Sequence, residues 1–307
     1  MDKNSIDWQG PMPALVTPFD AKGHLDEAKF RQLIELCIQQ GMTGLLVAGC
    51  TGEFWSMTSE ERVQTFRICV DQARGRVPVI AGTGAIRTED VIELSRSAKQ
   101  VGCDGILVLP PYFLKLSADD IVAHYQAVSD AVDLPLALYN IPGNAGNDLT
   151  PQLVDRLANI RTVVAIKESS GNFNQLCKTI MTCGDRIRVF VGPSALFGAS
   201  AVLMGAVGFI DTTPNLCGAE FVSLYNAAAD GDSETAQSLQ MRAIRLRELL
   251  NGNGRNYYAS LKAAMNIVGL PGGWPRPPLR PIAGAQLEEL RSGLQAIGIV
   301  RDSAAAQ

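Results

Sequence analysis

Short apolar runs alternate with longer amphipathic stretches along most of this chain. Eight runs have the length and content of buried parallel strands: residues 14–16, 44–48, 77–81, 105–109, 135–139, 163–166, 188–191 and 207–210. Residues 26–40, 59–74, 88–101, 117–132, 150–158, 172–183 and 194–204 read as the helices between them. In the first of these, Phe30, Leu33, Ile34, Cys37 and Ile38 share one face. Several start at a capping residue: Thr58 or Ser59, Thr88, Ser117, and Thr150 before Pro151. Repeated β-α units of this kind predict the α/β class and a (β/α)8 TIM barrel. A doubly wound sheet is the alternative, but it needs a switch point and a Gly-rich first turn.

The strand pattern ends near residue 216. Residues 218–230, 233–251, 257–268 and 285–297 then read as helices, with the Pro-rich stretch 270–278 as a rigid connector. The expected division is a barrel over 8–230, a C-terminal helical region over 231–298, and a tail over 299–307 that frays.

Composition narrows the function classes. The chain has 307 residues, 47% of them apolar, enough for a sizeable core. The 27 basic and 31 acidic residues are spread evenly, so no basic stripe points to nucleic acid. No apolar run approaches membrane-spanning length, and Met1–Ser5 lacks the apolar core of a signal peptide, so a cytoplasmic protein with no membrane partner is expected. Seven cysteines with no CxxC pair suit a reducing compartment, without disulfides or a zinc site. His24 and His124 are the two histidines, and neither has nucleophile or metal spacing.

The chemistry must then come from residues at the C-terminal ends of the strands, where barrel active sites form. Lys167 closes the apolar run Val163-Val164-Ala165-Ile166 and precedes Glu168-Ser169-Ser170-Gly171. A lysine there is either a snorkelling strand-end residue or a desolvated amine that attacks carbonyl carbon. After the second strand, Gly49-Cys50-Thr51-Gly52-Glu53 holds two glycines three apart. That spacing is either a plain tight turn or a nest whose N–H groups bind carboxylate or phosphate. Tyr139 ends the fifth strand, as a core aromatic or as a proton carrier beside Lys167. Ile210 ends the eighth, and Asp211 after it is a pocket carboxylate or a cap for the next turn. Amine, nest and phenol together fit imine activation of a 2-oxo acid.

Three motifs, Gly49-Cys50-Thr51-Gly52-Glu53, Tyr139-Asn140-Ile141-Pro142 and Ile166-Lys167-Glu168-Ser169-Ser170-Gly171, occur in the order and spacing of a known family. Over about residues 10–298 the chain resembles the dihydrodipicolinate synthase/N-acetylneuraminate lyase family of class I aldolases and dehydratases. The resemblance implies Lys167 as the Schiff-base lysine and Tyr139 as the proton-transfer tyrosine. It implies that Thr51 and the adjacent backbone hold the 2-oxo acid carboxylate, that Ser169 lines the pocket, and that the assembly is a homotetramer built as a dimer of dimers. Three departures bear on substrate. Cys50 stands where the family usually has Thr or Ser, and a thiol donates weakly. Phe113 stands where a tyrosine usually crosses the dimer interface. Asn144 stands where the synthase members carry an arginine for a second carboxylate, and it cannot make that charged bidentate contact. Gly192-Pro193-Ser194-Ala195 also lacks the acidic pair of sialic acid lyases.

The expected function is a Schiff-base lyase, aldolase or dehydratase, for a 2-keto-3-deoxy sugar acid or a related hydroxylated keto acid. The candidate substrate-binding set is Thr51, Cys50, Gly52, Ser169, Asn144, Ile210 and Asp211. No metal or cofactor is expected; a pyridoxal phosphate enzyme, which also uses a barrel lysine, would show a visible absorbance. A non-catalytic 2-oxo acid binder and a dihydrodipicolinate synthase are the competing readings.

Overall fold

A computed structural model describes residues 1–300. Eight parallel strands alternate with helices. They are β1 (Gly10–Pro13), β2 (Leu45–Val47), β3 (Val79–Gly82), β4 (Gly105–Val108), β5 (Leu136–Asn140), β6 (Val163–Glu168), β7 (Arg188–Val191) and β8 (Gly208–Asp211). The helices are α1 (Glu27–Gln39), α2 (Ser59–Ala73), α3 (Thr88–Gln100), α4 (Ala118–Ala131), α5 (Pro142–Ala145), α6 (Pro151–Leu157), α7 (Phe173–Cys183), α8 (Ser194–Leu203) and α9 (Pro214–Asp230). Three more follow: α10 (Ser233–Asn251), α11 (Tyr257–Ile267) and α12 (Ala285–Ala296). The strand order β1-β8-β7-β6-β5-β4-β3-β2 is that of the (β/α)8 barrel the pattern predicts. The strands are buried on both faces, which is why they read as continuous apolar runs rather than alternating ones.

The barrel closes by a thin seam between β1 and β2. Ala14 bridges Leu46, and the Leu15 amide donates to the Leu46 carbonyl at 2.9 Å. The reason lies in the prolines. The amides of Gly10 and Ala14 donate toward β8, to Val207 and Asp211. Pro11 and Pro13 fall at the alternate positions, which face β2, and they have no N–H to give. This also corrects the first strand, expected at 14–16. The apolar run Ala14-Leu15-Val16 is the buried exit from β1, where the Val16 amide donates to Asn215 Oδ1 at 3.1 Å.

Other differences are local. The pattern does not show α5, a single turn started by Pro142. Thr88 does not cap α3; it is the first helical residue, and its hydroxyl pairs with His124 Nδ1 of α4 at 2.9 Å. The helix expected at 218–230 starts at Pro214 and bends at the non-helical Cys217. Thr58, rather than Ser59, and Ser117 and Thr150 cap their helices, the first two within capping boxes that the sequence pattern does not specify. Past the last helix, the amides of Ile299 and Val300 donate to the Leu294 carbonyl, and both side chains pack on the core. The rest of the tail, 301–307, lies outside the described residues.

The C-terminal helices are bonded into the barrel. Gln240 of α10 takes the Ala199 amide at 2.9 Å and donates to the carbonyls of Ser194 and Ala195. Lys262 of α11 forms a buried ion pair with Glu53, the last residue of the Gly49–Glu53 turn. Its ammonium also donates to the carbonyls of Thr17 (2.7 Å) and Trp274 (3.0 Å) and lies over the Phe19 ring. Glu53 Oε1 meets that ammonium as a charge contact rather than an aligned hydrogen bond, and Oε2 takes the Arg276 amide at 2.9 Å. The Pro-rich stretch is thus a strap: the Trp274 amide donates back to Phe19 at 2.8 Å. Replacing Lys262 by Met strands a buried carboxylate. Urea denaturation should show a loss of about 3 kcal/mol or more for Lys262→Met. Glu53→Gln combined with Lys262→Met should be more stable than the two separate losses predict, by at least about 1 kcal/mol of coupling.

Candidate active site

Lys167 lies in β6, in register with Tyr139 of β5 and Phe190 of β7. The alternation of the strand turns its side chain into the barrel, where the residue is 4% exposed. Its Nζ lies 4.4 Å from the centroid of the Tyr139 ring. Among the described residues no carboxylate forms an ion pair with it. Burial therefore governs its charge: desolvation lowers its pKa from 10.5 to about 8, against a weaker opposing pull from Cys50 and Asp211. The snorkelling alternative does not fit this placement, since the amine points inward.

Tyr139 is buried at the same height. Burial raises its pKa well above 10, so it stays a neutral phenol able to give a proton. The Cys50 thiol and the Ser169 hydroxyl both act on that phenol. The thiol's pKa is also pushed up by burial, partly offset by the Lys167 cation, so Cys50 stays protonated. Ser169 Oγ is buried, and the Tyr139 phenol is the polar group it acts on. Gly192 makes room for it: a β-carbon there would overlap the Ser169 hydroxyl.

The Gly49–Glu53 segment follows β2 as a tight turn. The amides of Gly52 and Glu53 close it onto the carbonyls of Gly49 and Cys50, and the Gly52 carbonyl accepts from Thr17 Oγ1 at 2.8 Å. Gly52 thus shapes the turn, and its own N–H is occupied. Thr51 is buried, with Oγ1 2.7 Å from Thr212 Oγ1 of the loop after β8. A small cavity of about 10 Å³, scarcely the room of one water, lies between Cys50, Gly82, Leu109 and Tyr139.

The remaining sequence candidates separate. Asp211 Oδ2 takes the Ser194 hydroxyl at 2.6 Å and the Ala195 amide at 3.2 Å, and Oδ1 takes the Thr212 amide at 2.6 Å. Asp211 thus caps the first turn of α8 and the turn after β8, and its charge also bears on Lys167. Ile210 is fully buried in β8, opposite Met12. Asn144 stands exposed on α5, apart from the buried set. Phe113 is 95% exposed with φ of 80° in the loop after β4.

The structure also brings in residues the sequence did not single out. Thr212 had a signal, its place after the eighth strand. Arg62 had one too: a charged residue on the core-facing stripe of α2 with Thr65, Phe66 and Cys69. Its guanidinium donates to the carbonyls of Gly82 and Gly84 (3.1 Å to Gly84) and lies over Phe54, with burial lowering its pKa to about 10. Tyr257 and Tyr258, on α11, had no signal; their helix is remote in sequence from every strand end. Tyr257 hydrogen-bonds Thr213 at 2.7 Å.

Such a constellation, a buried inward amine beside a neutral phenol, can condense with a ketone and move protons on the adduct. The profile of the Dihydrodipicolinate synthetase family matches residues 7–297. The chain belongs to that family. It is 38% identical to a 4-hydroxy-tetrahydrodipicolinate synthase of Syntrophobacter fumaroxidans over 298 residues, covering 95% of this chain and 100% of the relative. It is 37% identical to an uncharacterized DapA-like lyase of Rhizobium meliloti, covering 94% and 96%. Among solved structures, YagE, a prophage protein of the family from E. coli K12 in complex with pyruvate, superposes with a TM-score of 0.92 at 31% identity, covering 96% and 100% of the two chains. The chloride-inhibited synthase from Acinetobacter baumannii, also complexed with pyruvate, gives 0.90 at 33% identity, covering 95% and 99%. Members of the Dihydrodipicolinate synthetase family are class I, Schiff-base, pyruvate-dependent lyases, and this chain is an enzyme of that kind. The non-catalytic binder is thereby set aside. Among the described residues no helix is long and apolar enough to cross a membrane.

Burial of Lys167 has a measurable cost whatever its partner in catalysis. Its folded pKa of about 8 lies below the unfolded value near 10.5. The folded state therefore holds fewer protons between those values, and stability rises with pH across that window. Below pH 8 the wild type should be less stable than Lys167→Met, by up to about 3 kcal/mol. The gap should narrow from pH 8 to pH 10.5. Denaturation midpoints of both proteins across pH test this, and a gap independent of pH contradicts the burial of the amine.

Proposed function

We propose that Lys167 is the Schiff-base lysine of a lyase acting on a hydroxylated 2-oxo acid, of the 2-keto-3-deoxy sugar acid class. The observation that carries the reading is the buried Lys167 amine over the Tyr139 ring, with no carboxylate paired to it among the described residues. Its lowered pKa leaves a usable fraction neutral near pH 7–8, and the neutral amine is the nucleophile. Nζ adds to C2 of the substrate. The former carbonyl oxygen takes up protons and leaves as water, giving a cationic imine. In aldol cleavage the C4 hydroxyl loses its proton and the C3–C4 pair flows into the imine, releasing an aldehyde and an enamine. Protonation at C3 and hydrolysis then return pyruvate and the free lysine. In dehydration a proton leaves C3 and hydroxide leaves C4. Tyr139, a neutral phenol beside the amine, carries these protons. Thr51 and its backbone amide take the carboxylate, with Thr212 orienting the hydroxyl. Cys50, Ser169 and Ile210 line the floor, and Asp211 adds negative charge beside the imine.

Asn144 and the Gly192–Ala195 turn support this substrate class, since neither offers the arginine of the synthases nor the acidic pair of sialic acid lyases. A second reading, 4-hydroxy-tetrahydrodipicolinate synthesis, is favoured by the names of relatives such as the S. fumaroxidans enzyme. We infer further that the protein works in the cytoplasm as a homotetramer, a dimer of dimers in which the exposed Phe113 meets a neighbouring subunit.

Borohydride reduction with pyruvate should add one pyruvate-derived mass at Lys167 and none in Lys167→Met. The trapping rate should rise about tenfold per pH unit well below 8 and level off above it, as the amine loses its proton. Tyr139→Phe should still trap pyruvate but lose about 10²–10⁴ in turnover. Pyruvate release from 2-keto-3-deoxygluconate, set against consumption of aspartate semialdehyde with pyruvate, separates the two substrate readings.

A further inference from the structure

The rim of the barrel mouth is aromatic, and part of it comes from the C-terminal helices. Tyr112, Phe54, Trp55, Tyr258 and Tyr257 form a chain of ring contacts with centroids 6.1, 5.7, 5.4 and 6.0 Å apart. Two anchors hold α11 in place there. Asn256 caps its first turn by accepting the amides of Tyr258 and Ala259 (3.0 and 3.3 Å), and Tyr257 is bonded to Thr213 at the end of β8. One turn further on, Lys262 ties the helix to Glu53. Tyr258 therefore sits on a rigid element, not on a loop. Its ring leans on Trp55 at 48°, and its hydroxyl has no hydrogen-bond partner among the described residues. That hydroxyl is nevertheless in the field of Cys50 and Asp211, and it acts in turn on Tyr139. Cys50 and Asp211 also act on the Lys167 amine, which lies 4.4 Å from the Tyr139 ring centroid.

We propose that Tyr258 is a specificity-determining residue of this site, whose phenol hydrogen-bonds the C4 hydroxyl of a hydroxylated 2-oxo acid held as an imine. The proposal rests on the Schiff-base reading and deepens it. With C2 on Lys167 and the carboxylate at Thr51, carbons C3 onward point out of the barrel toward the rim. Phe54 and Trp55 present apolar faces there, and the Tyr258 hydroxyl is the unspent polar group they leave beside them. A neutral hydroxylated carbon fits that wall, since it exchanges a hydrogen bond with water for one with the phenol at no desolvated charge. Pyruvate, which ends at C3, does not reach it.

The test measures half-saturating concentrations for borohydride trapping with two probes, pyruvate and 2-keto-3-deoxygluconate, on the wild type and Tyr258→Phe. Phenylalanine keeps the Trp55 contact, and thermal melting confirms that the variant is folded. The half-saturating concentration of 2-keto-3-deoxygluconate should rise about 5- to 10-fold, while that of pyruvate stays within twofold. Tyr258→Trp, which keeps an aromatic ring but moves the donor, should also discriminate against the hydroxylated acid. An equal shift for both probes, or no shift for either, overturns the proposal while leaving the Schiff-base reading intact. A wild type that traps neither probe sinks both.

Discussion

Everything at this site depends on holding an amine largely out of bulk water. Lys167 is a residue that solvent would keep charged, built into a buried parallel strand after Val, Val, Ala and Ile and before Glu168. No carboxylate pairs with it among the described residues, so desolvation outweighs the attraction of Asp211 and Cys50. The Tyr139 ring provides partial compensation: a cation over a π face recovers some stabilisation without fixing the proton, as a salt bridge would. The proton on the amine is thus kept close to the point where it can be lost or gained. A salt-bridged lysine would be more stable and less reactive.

The surroundings serve that condition. The hydroxyl and thiol groups near the amine, on Thr51, Cys50, Tyr139 and Ser169, are neutral at ordinary pH, which suits proton transfer and carboxylate binding without competing for the lysine. The full charges of the region are used elsewhere. Asp211 spends its lone pairs on two turns, Glu53 faces Lys262, and Arg62 holds the backbone at the end of β3. The buried Glu53–Lys262 pair closes the turn after β2 and joins it to α11. The helices beyond the barrel therefore support the site from outside: α11 anchors the turn after β2 and, through Tyr257, the loop after β8.

Much of this was legible in the chain. Apolar strand runs, capping residues and the β-α period are local signals, and they led to the barrel, its order of elements and the helices after it. The first strand was misplaced because Pro11 and Pro13 argue against a strand in any sheet whose ladder is complete on both sides. The seam with β2 is not complete, and that is a property of barrel closure, not of the segment. Lys167 and Tyr139 could be paired because both end strands, and barrel strands share one mouth. Arg62 could have been noticed as a charge on a core-facing stripe.

Sequence alone pointed to the reaction class, because the Lys167 motif lies in a recognisable series with Thr51 and Tyr139, although a lysine at a strand end could by itself have been a snorkelling residue. It also determined the departures at Cys50, Phe113 and Asn144, which are matters of residue identity. Only the tertiary structure decided which polar groups are free to act. Whether Asp211 caps α8 and whether Tyr258 stacks on Trp55 depend on contacts between segments tens to hundreds of residues apart. Hydrogen-bond partners at that separation leave no periodicity in the chain, since they are set by where the barrel's closure and the α11 anchors bring distant backbone together.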